Sequence, residues 1–107
     1  MRRESECPIN VIKDTLGKDE LLCQLAEEAA ELAQAALKLR RTLSDKNPTP
    51  VKQCEAEKKL LEEIADVKLC LHVCGFENVR EKIEVNRIIT AKAARWMGRL
   101  DKTRDEL

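Results

Sequence analysis

Two short acidic runs are the residues of this sequence best suited to chemistry. Each has two adjacent glutamates followed by a third carboxylate, and the six residues are Glu27, Glu28, Glu31, Glu62, Glu63 and Asp66. Carboxylate oxygens suit hard divalent cations such as Mg²⁺ or Mn²⁺, and protein-bound Mg²⁺ commonly also binds substrate phosphates. The runs therefore indicate a cation site that handles phosphates. The alternative is a solvated helix face, because a chain with 37% charged residues contains such runs by chance.

Helical periodicity decides whether these carboxylates meet. Apolar residues recur at steps of three and four in two stretches, and the two seams are Leu22, Leu25, Ala29, Leu32, Ala36, Leu39 and Leu43, then Leu60, Ile64, Val67, Leu71 and Cys74. At about 100° per residue, Glu28 and Glu63 lie about 60° from their seam centres, and Glu31 and Asp66 about 120°. All four are displaced in the same rotational sense. Antiparallel packing would bring the four together beside the core, whereas parallel packing would separate them.

Convergence of four carboxylates is electrostatically costly. Neither Glu28 nor Glu31 has a lysine or arginine within four residues along the chain. Like charges three residues apart on a helix repel, and partial burial strengthens the repulsion. A raised pKa or a bound cation would relieve it.

Proline and glycine divide the chain into four predicted helices with no strand-type alternation. We expect a short helix at 9–16 and long helices at 19–43, 50–74 and 79–101. Thr49 is the expected cap of the third helix, Pro50 its first residue, and Gly75 its C-terminal cap. The last helix carries a third seam, Val85, Ile89, Ala93, Trp96 and Leu100. The prediction is an all-α antiparallel bundle of three long helices plus a short N-terminal helix. It forms a single domain over 1–107, with its core at about 9–101 and a frayed tail at 102–107.

Composition excludes several classes of protein. Lys plus Arg and Asp plus Glu each number 20, so the net charge of zero argues against a nucleic-acid partner. The 3 glycines lie far apart, which excludes a glycine-rich phosphate loop, and the single histidine excludes a multi-histidine zinc site. No apolar run approaches the roughly 18 residues of a membrane span. The odd count of 5 cysteines, without a CxxC pair, indicates reduced thiols in a cytoplasmic protein.

The acidic double motif also carries a family resemblance. The pattern Glu28-x-x-Glu31 followed by Glu63-x-x-Asp66 resembles the signature of the MazG-like all-α nucleoside triphosphate pyrophosphohydrolases. Residues 17–22, 24–33 and 61–67 are also similar to family members, as is the Lys92-x-x-Arg95-Trp96 sequence of the last helix. The resemblance covers roughly 9–100. One departure is the 31 residues between Glu31 and Glu63, at or beyond the long end of the family spacing. The loop before the third helix can absorb the excess, since loop extension costs little.

The resemblance implies a fold, a reaction and a set of site residues. The fold would be the all-α pyrophosphatase bundle, assembled as a dimer or a dimer of dimers. The enzyme would convert a nucleoside triphosphate to the monophosphate and pyrophosphate with Mg²⁺, or with Mn²⁺ in its place. The implied Mg²⁺ ligands are Glu28, Glu31, Glu63 and Asp66. The residues themselves indicate two further roles. Glu27 or Glu62, if not committed to metal, could accept the proton of the attacking water. Lys92 and Arg95, three residues apart on the last helix, could reach the phosphates.

Several alternatives remain open at this point. Within the superfamily, the substrate could instead be dUTP, dCTP or phosphoribosyl-ATP. Lys92 and Arg95 could equally lie on a solvated helix exterior. From a different class, the rival is a non-catalytic helical oligomerisation module whose acidic flank is merely solvated. A bundle of this size has a limited core, so we expect self-association under either interpretation.

Overall fold

The structure, a computed structural model, describes residues 7–44 and 51–105, and within these residues it contains helices and no strand. The helices are α1 (Pro8–Thr15), α2 (Lys18–Thr42), α3 (Gln53–Val73) and α4 (Val79–Asp105). The predicted all-α class is confirmed. Across the described ranges, no helix combines the length and apolarity that membrane crossing requires. The chain divides into two units, Met1–Gly75 with the first three helices and Phe76–Leu107 with α4.

The helix boundaries follow from local chemistry. Pro8 opens α1, where its missing N–H costs no hydrogen bond. α2 has Asp19 and Glu20 in its first turn and Arg40 and Arg41 in its last, an arrangement that complements the helix dipole. Both helices lie within one residue of their predicted bounds.

The ends of α3 differ in how far they match the expectation. Thr49 and Pro50, the predicted cap and first residue, lie outside the described residues, and Lys52 occupies the N-cap position of α3. At the other end Gly75 has a φ of 87°, the left-handed conformation expected of a residue that ends a helix. Its N–H donates to the carbonyl oxygen of His72 at 3.1 Å, so the predicted capping role of Gly75 is observed.

α2 and α3 pack antiparallel, and their contact surface passes through the acidic runs. The Lys18 ammonium, at the start of α2, donates to the carbonyl of Cys74 at the end of α3 over 2.9 Å. Leu21 packs in the same region against Val73 and Cys74. The surface of α2 that contacts α3 is rotated from the predicted seam. Leu25, Leu32 and Leu39 lie on it as predicted, whereas each of the other seam residues is replaced by the residue that precedes it in the sequence. The more buried residues of α2 are Leu21, Leu25, Glu28, Leu32, Ala35, Leu39 and Thr42.

α3 shows the same rotation. Glu63 is only 2% exposed and takes the place expected for Ile64, which is 39% exposed. Cys70 is likewise buried in place of Leu71. Helical periodicity is compatible with either residue of each pair, because the two are adjacent in the sequence. The structure nevertheless places one carboxylate of each run, Glu28 and Glu63, in the contact surface rather than beside it.

Among the described residues of the second unit, the one helix is α4. It has no buried residue, and its predicted seam of Val85, Ile89, Ala93, Trp96 and Leu100 is exposed throughout. α4 continues to Asp105, beyond the end expected near Asp101. Short-range contacts support this extension, since the Thr103 hydroxyl donates to the Arg99 carbonyl at 2.9 Å and Arg104 lies 3.9 Å from Asp101.

Candidate metal centre

Three of the four predicted carboxylate ligands meet between α2 and α3. Glu28 and Glu31 lie one turn apart on α2, and Glu63 faces them from α3. Each offers one carboxylate oxygen, and the three oxygens lie within 4.8 Å of one another. Antiparallel packing therefore has the consequence expected for these three residues.

Two of these carboxylates have an oxygen buried without a hydrogen-bond partner. The Oε1 atom of Glu63 lies 2.9 Å from the ammonium of Lys59, whereas its Oε2 atom has no partner among the described residues. Glu28 is similar, since its Oε1 accepts a hydrogen bond from the Gln24 amide at 2.9 Å and its buried Oε2 has no partner. A buried carboxylate oxygen without a donor is unfavourable, so the cluster can still accept a cation or a proton.

The negative charges of the cluster also affect the third carboxylate, Glu31. The pKa of Glu31 is raised above 4.5, first by the negative charge of Glu28 and then by that of Glu63. The pKa of the Lys59 ammonium is raised as well, first by its hydrogen bond with Glu63 and then by the negative charge of Glu63. For a lysine, a raised pKa stabilises the charged form. The cluster therefore lacks sufficient positive charge, and Lys59 supplies part of it.

Asp66, the fourth predicted ligand, is not part of this group. It is exposed, and with Glu28 it lines a separate pocket of about 170 Å³ whose apolar wall includes Leu69 and Val73. The thiol of Cys70 also lines this pocket, and burial, followed by the charge of Glu28, raises its pKa. Asp66 is thus placed next to Glu28 but outside the three converging oxygens.

The remaining predicted site residues are exposed and lie outside the three-carboxylate group. Glu27 and Glu62 are on the solvent sides of α2 and α3, and the Glu62 carboxylate lies 4.0 Å from the Lys59 ammonium. Lys92 and Arg95 are exposed residues of α4, in the second unit. The structure does not assign a site role to any of the four.

Sequence reasoning missed the residues that partner the cluster. Gln24 stands four residues before Glu28 and Lys59 four residues before Glu63, the spacing at which helical side chains meet. That spacing was available as a signal. A further lysine, Lys38, lines a pocket of about 290 Å³ together with Lys59, Glu31 and Glu63; we call it the lysine pocket.

The donor set fits a hard divalent cation. All three converging ligand atoms are carboxylate oxygens, which Mg²⁺ and Mn²⁺ prefer over the nitrogen and sulphur ligands typical of zinc. Two of the three residues have an unsatisfied oxygen, and the pKa of the third is raised by its neighbours. A cation held here would remove both the repulsion and the unsatisfied acceptors.

Comparisons with known proteins identify no relative of this chain. No protein-family model, no curated protein and no solved structure matches the chain.

Proposed function

We propose that this protein is a Mg²⁺-dependent nucleotide pyrophosphohydrolase that converts a nucleoside triphosphate to its monophosphate and pyrophosphate. The observation that carries the proposal is the burial of Glu63, which is 2% exposed, with Oε2 unpartnered beside two further carboxylates. Its neighbour Ile64 could occupy the same contact surface at no electrostatic cost, yet is 39% exposed. Departures from local rules of this kind are expected at functional sites.

The chain's own residues divide the work as follows. Glu28, Glu31 and Glu63 hold the cation, and Gln24 fixes the orientation of the Glu28 carboxylate through its hydrogen bond. When bound, Mg²⁺ supplies neutralisation of the phosphate charges and activation of a water molecule. The resemblance adds Asp66 as a fourth ligand, and the sequence-based hypotheses add Glu27 or Glu62 as the proton acceptor and Lys92 and Arg95 as phosphate-binding residues.

The proposal extends to architecture and assembly. A MazG-like bundle in a single domain, associated as a dimer or a dimer of dimers, would bury the apolar side chains of α4. In one copy of the chain Trp96 is 63% exposed, Ile89 56% and Leu100 56%, which supports self-association. A reducing cytoplasmic location is consistent with the absence of a disulfide among the cysteines, all five of which lie in the described ranges.

A nucleotide panel tests the activity. The purified protein is incubated with Mg²⁺ and each of the common ribo- and deoxyribonucleoside triphosphates, dUTP, dCTP and phosphoribosyl-ATP included. Pyrophosphate and phosphate release are scored separately. We expect pyrophosphate and monophosphate, and hydrolysis in ¹⁸O-labelled water should place the label in the monophosphate. Label in inorganic phosphate, with a nucleoside diphosphate as co-product, would contradict the proposal.

A matched pair of variants connects any activity to the cluster. Glu63→Gln keeps the size of the side chain and removes its charge, so activity should fall by several orders of magnitude. Glu57→Gln changes an exposed glutamate of the same helix and should leave activity unchanged. Equal effects of the two substitutions would mean that the activity does not depend on the cluster.

The second candidate function is a non-catalytic helical oligomerisation module, favoured by the exposed apolar face of α4. Mn²⁺ distinguishes the two. A ligand that binds only the folded state raises the melting temperature, and a solvated acidic face has no specific cation site. An increase in melting temperature that Glu63→Gln abolishes supports the enzyme, and an unchanged value supports the module.

A further inference from the structure

The lysine pocket contains two cationic side chains, and the carboxylate cluster accounts for only one of them. Lys38 comes from α2 and Lys59 from α3, and they line the pocket together with Glu31 and Glu63 of the cluster. Lys38 forms no ion pair with any residue in the described part of the chain. Lys59 lies 2.9 Å from Glu63, and its side chain is 59% exposed.

Charge balance shows why such lysines are needed next to this cluster. Three ionised carboxylates exceed the charge of one divalent cation, so the loaded cluster still carries one negative charge. A phosphate chain, itself strongly anionic, would be repelled by that site. Two lysine ammonium groups in the same pocket reverse the sign of the local charge. Because they line the same pocket as Glu31 and Glu63, they would lie near a phosphate that reaches a cation on those carboxylates.

We propose that the lysine pocket is the binding site for the phosphate chain of the substrate, with Lys38 and Lys59 as its phosphate-binding residues. This inference rests on the proposed function, because it assumes a cation on Glu28, Glu31 and Glu63. It differs from the sequence-based hypothesis, which gives phosphate binding to Lys92 and Arg95 of α4. Lys59 exchanges its contact with Glu63 for one with phosphate when the cation takes over that carboxylate.

The dimensions and donors of the pocket suit this ligand. Its volume of about 290 Å³ equals that of about ten liquid waters, so phosphoryl groups enter by displacing solvent. The amide of Gln34, which also lines the pocket, adds a neutral donor beside the two ammonium groups. Lysine is a common ligand of phosphate because its compact charge carries three donors.

Binding of inorganic pyrophosphate in excess Mg²⁺ tests the proposal without requiring turnover. Calorimetry would compare the wild-type protein with Lys38→Met, Lys59→Met and the control Lys58→Met, which replaces an exposed lysine of α3 outside the pocket. We expect about tenfold weaker binding for each pocket variant, the size of one lost charge-assisted hydrogen bond. Lys58→Met should bind as the wild type does, and Lys38→Arg should restore most of the affinity.

Mn²⁺ binding, measured without pyrophosphate, separates this proposal from the cation site. Lys38→Met should bind Mn²⁺ within about twofold of the wild type, since Lys38 has no ion pair with the described carboxylates. Unchanged pyrophosphate affinity in both pocket variants would overturn the inference. So would a loss of pyrophosphate affinity in Lys92→Met when Lys38→Met and Lys59→Met keep theirs. If the wild type hydrolyses nucleotides under either result, the proposed function stands while the phosphate site lies elsewhere. A wild type without pyrophosphate binding overturns the inference, and the nucleotide panel then judges the activity independently.

Discussion

Glu63→Met should stabilise the cation-free protein. Methionine resembles glutamate in length and is flexible enough to fill the same space, and it removes a charge from a side chain that is 3% exposed. Burial of the unpartnered Oε2 atom costs about 1–3 kcal/mol, which the substitution recovers. The lost ion pair offsets little of this, because the Lys59 side chain is 59% exposed and its ammonium can return to water. At about 4 °C per kcal/mol, the melting temperature should rise by several degrees.

Thermal and urea unfolding of the cation-free protein measures this effect. Glu57→Met, at an exposed position of the same helix, is the control and should change stability by less than about 0.5 kcal/mol. Addition of Mn²⁺ should reverse the order, because the wild type gains binding energy and Glu63→Met does not. Destabilisation by Glu63→Met in the absence of cation would refute this reasoning. It would show that Glu63 is a satisfied structural residue of the α2–α3 contact.

Three other predictions concern the cluster and its support. Glu31→Gln should stabilise the cation-free protein near pH 7 but not near pH 4. Because the pKa of Glu31 is raised in the folded state, its contribution to stability is present at low pH and is lost as the pH rises through the folded-state pKa. A difference in melting temperature between Glu31→Gln and the wild type that stays constant across this pH range would contradict the prediction. Asp66→Asn should keep more than half of the Mn²⁺-induced rise in melting temperature, because Asp66 lies outside the converging oxygens, whereas the four-ligand set implied by the resemblance predicts complete loss. Leu21→Ala should lower the free energy of unfolding, measured by chemical denaturation, by about 2–4 kcal/mol, since Leu21 is 5% exposed and packs against the end of α3. A loss below about 1 kcal/mol would contradict this, because it would mean that neighbouring side chains fill the cavity.

Periodicity predicted the helices well and the packing surface less well. α1 and α2 lie within one residue of their predicted bounds, because proline and glycine signals are local. α3 begins at Gln53 rather than at 50, and α4 continues to Asp105 rather than ending near 101. The rotation of the α2–α3 contact was not predictable in this way. Leu21 and Leu22 are equally apolar, so apolar content cannot choose between them, and for Glu63 and Ile64 it selects the residue that is more exposed.

The sequence predicted most of the residues that form the candidate site, but not how deeply they are buried or which residues partner them. Three acidic residues converge as the antiparallel arrangement requires, whereas Asp66 lies outside the group. The pairing of Lys59 with Glu63 was accessible from their spacing of four residues. The near-complete burial of Glu63 was not, because hydrophobicity patterns place a carboxylate at the edge of a helix contact, and only tertiary packing shows it inside.

The contact between Lys59 and Glu63 has a consequence for the order of folding and cation loading. Small metal-dependent domains often remain unfolded until the ion arrives, because the free energy of metal binding supplies their free energy of folding. Here the apolar contacts between α2 and α3 involve no ion, and a lysine of α3 already partners one oxygen of the most buried carboxylate. Because that lysine reaches into solvent, its departure requires only side-chain rotation, a motion of picoseconds to nanoseconds. Exchange of a cation at the proposed site would then be limited by the rate at which the ion loses its hydration water. A chelator would remove the cation without unfolding the chain.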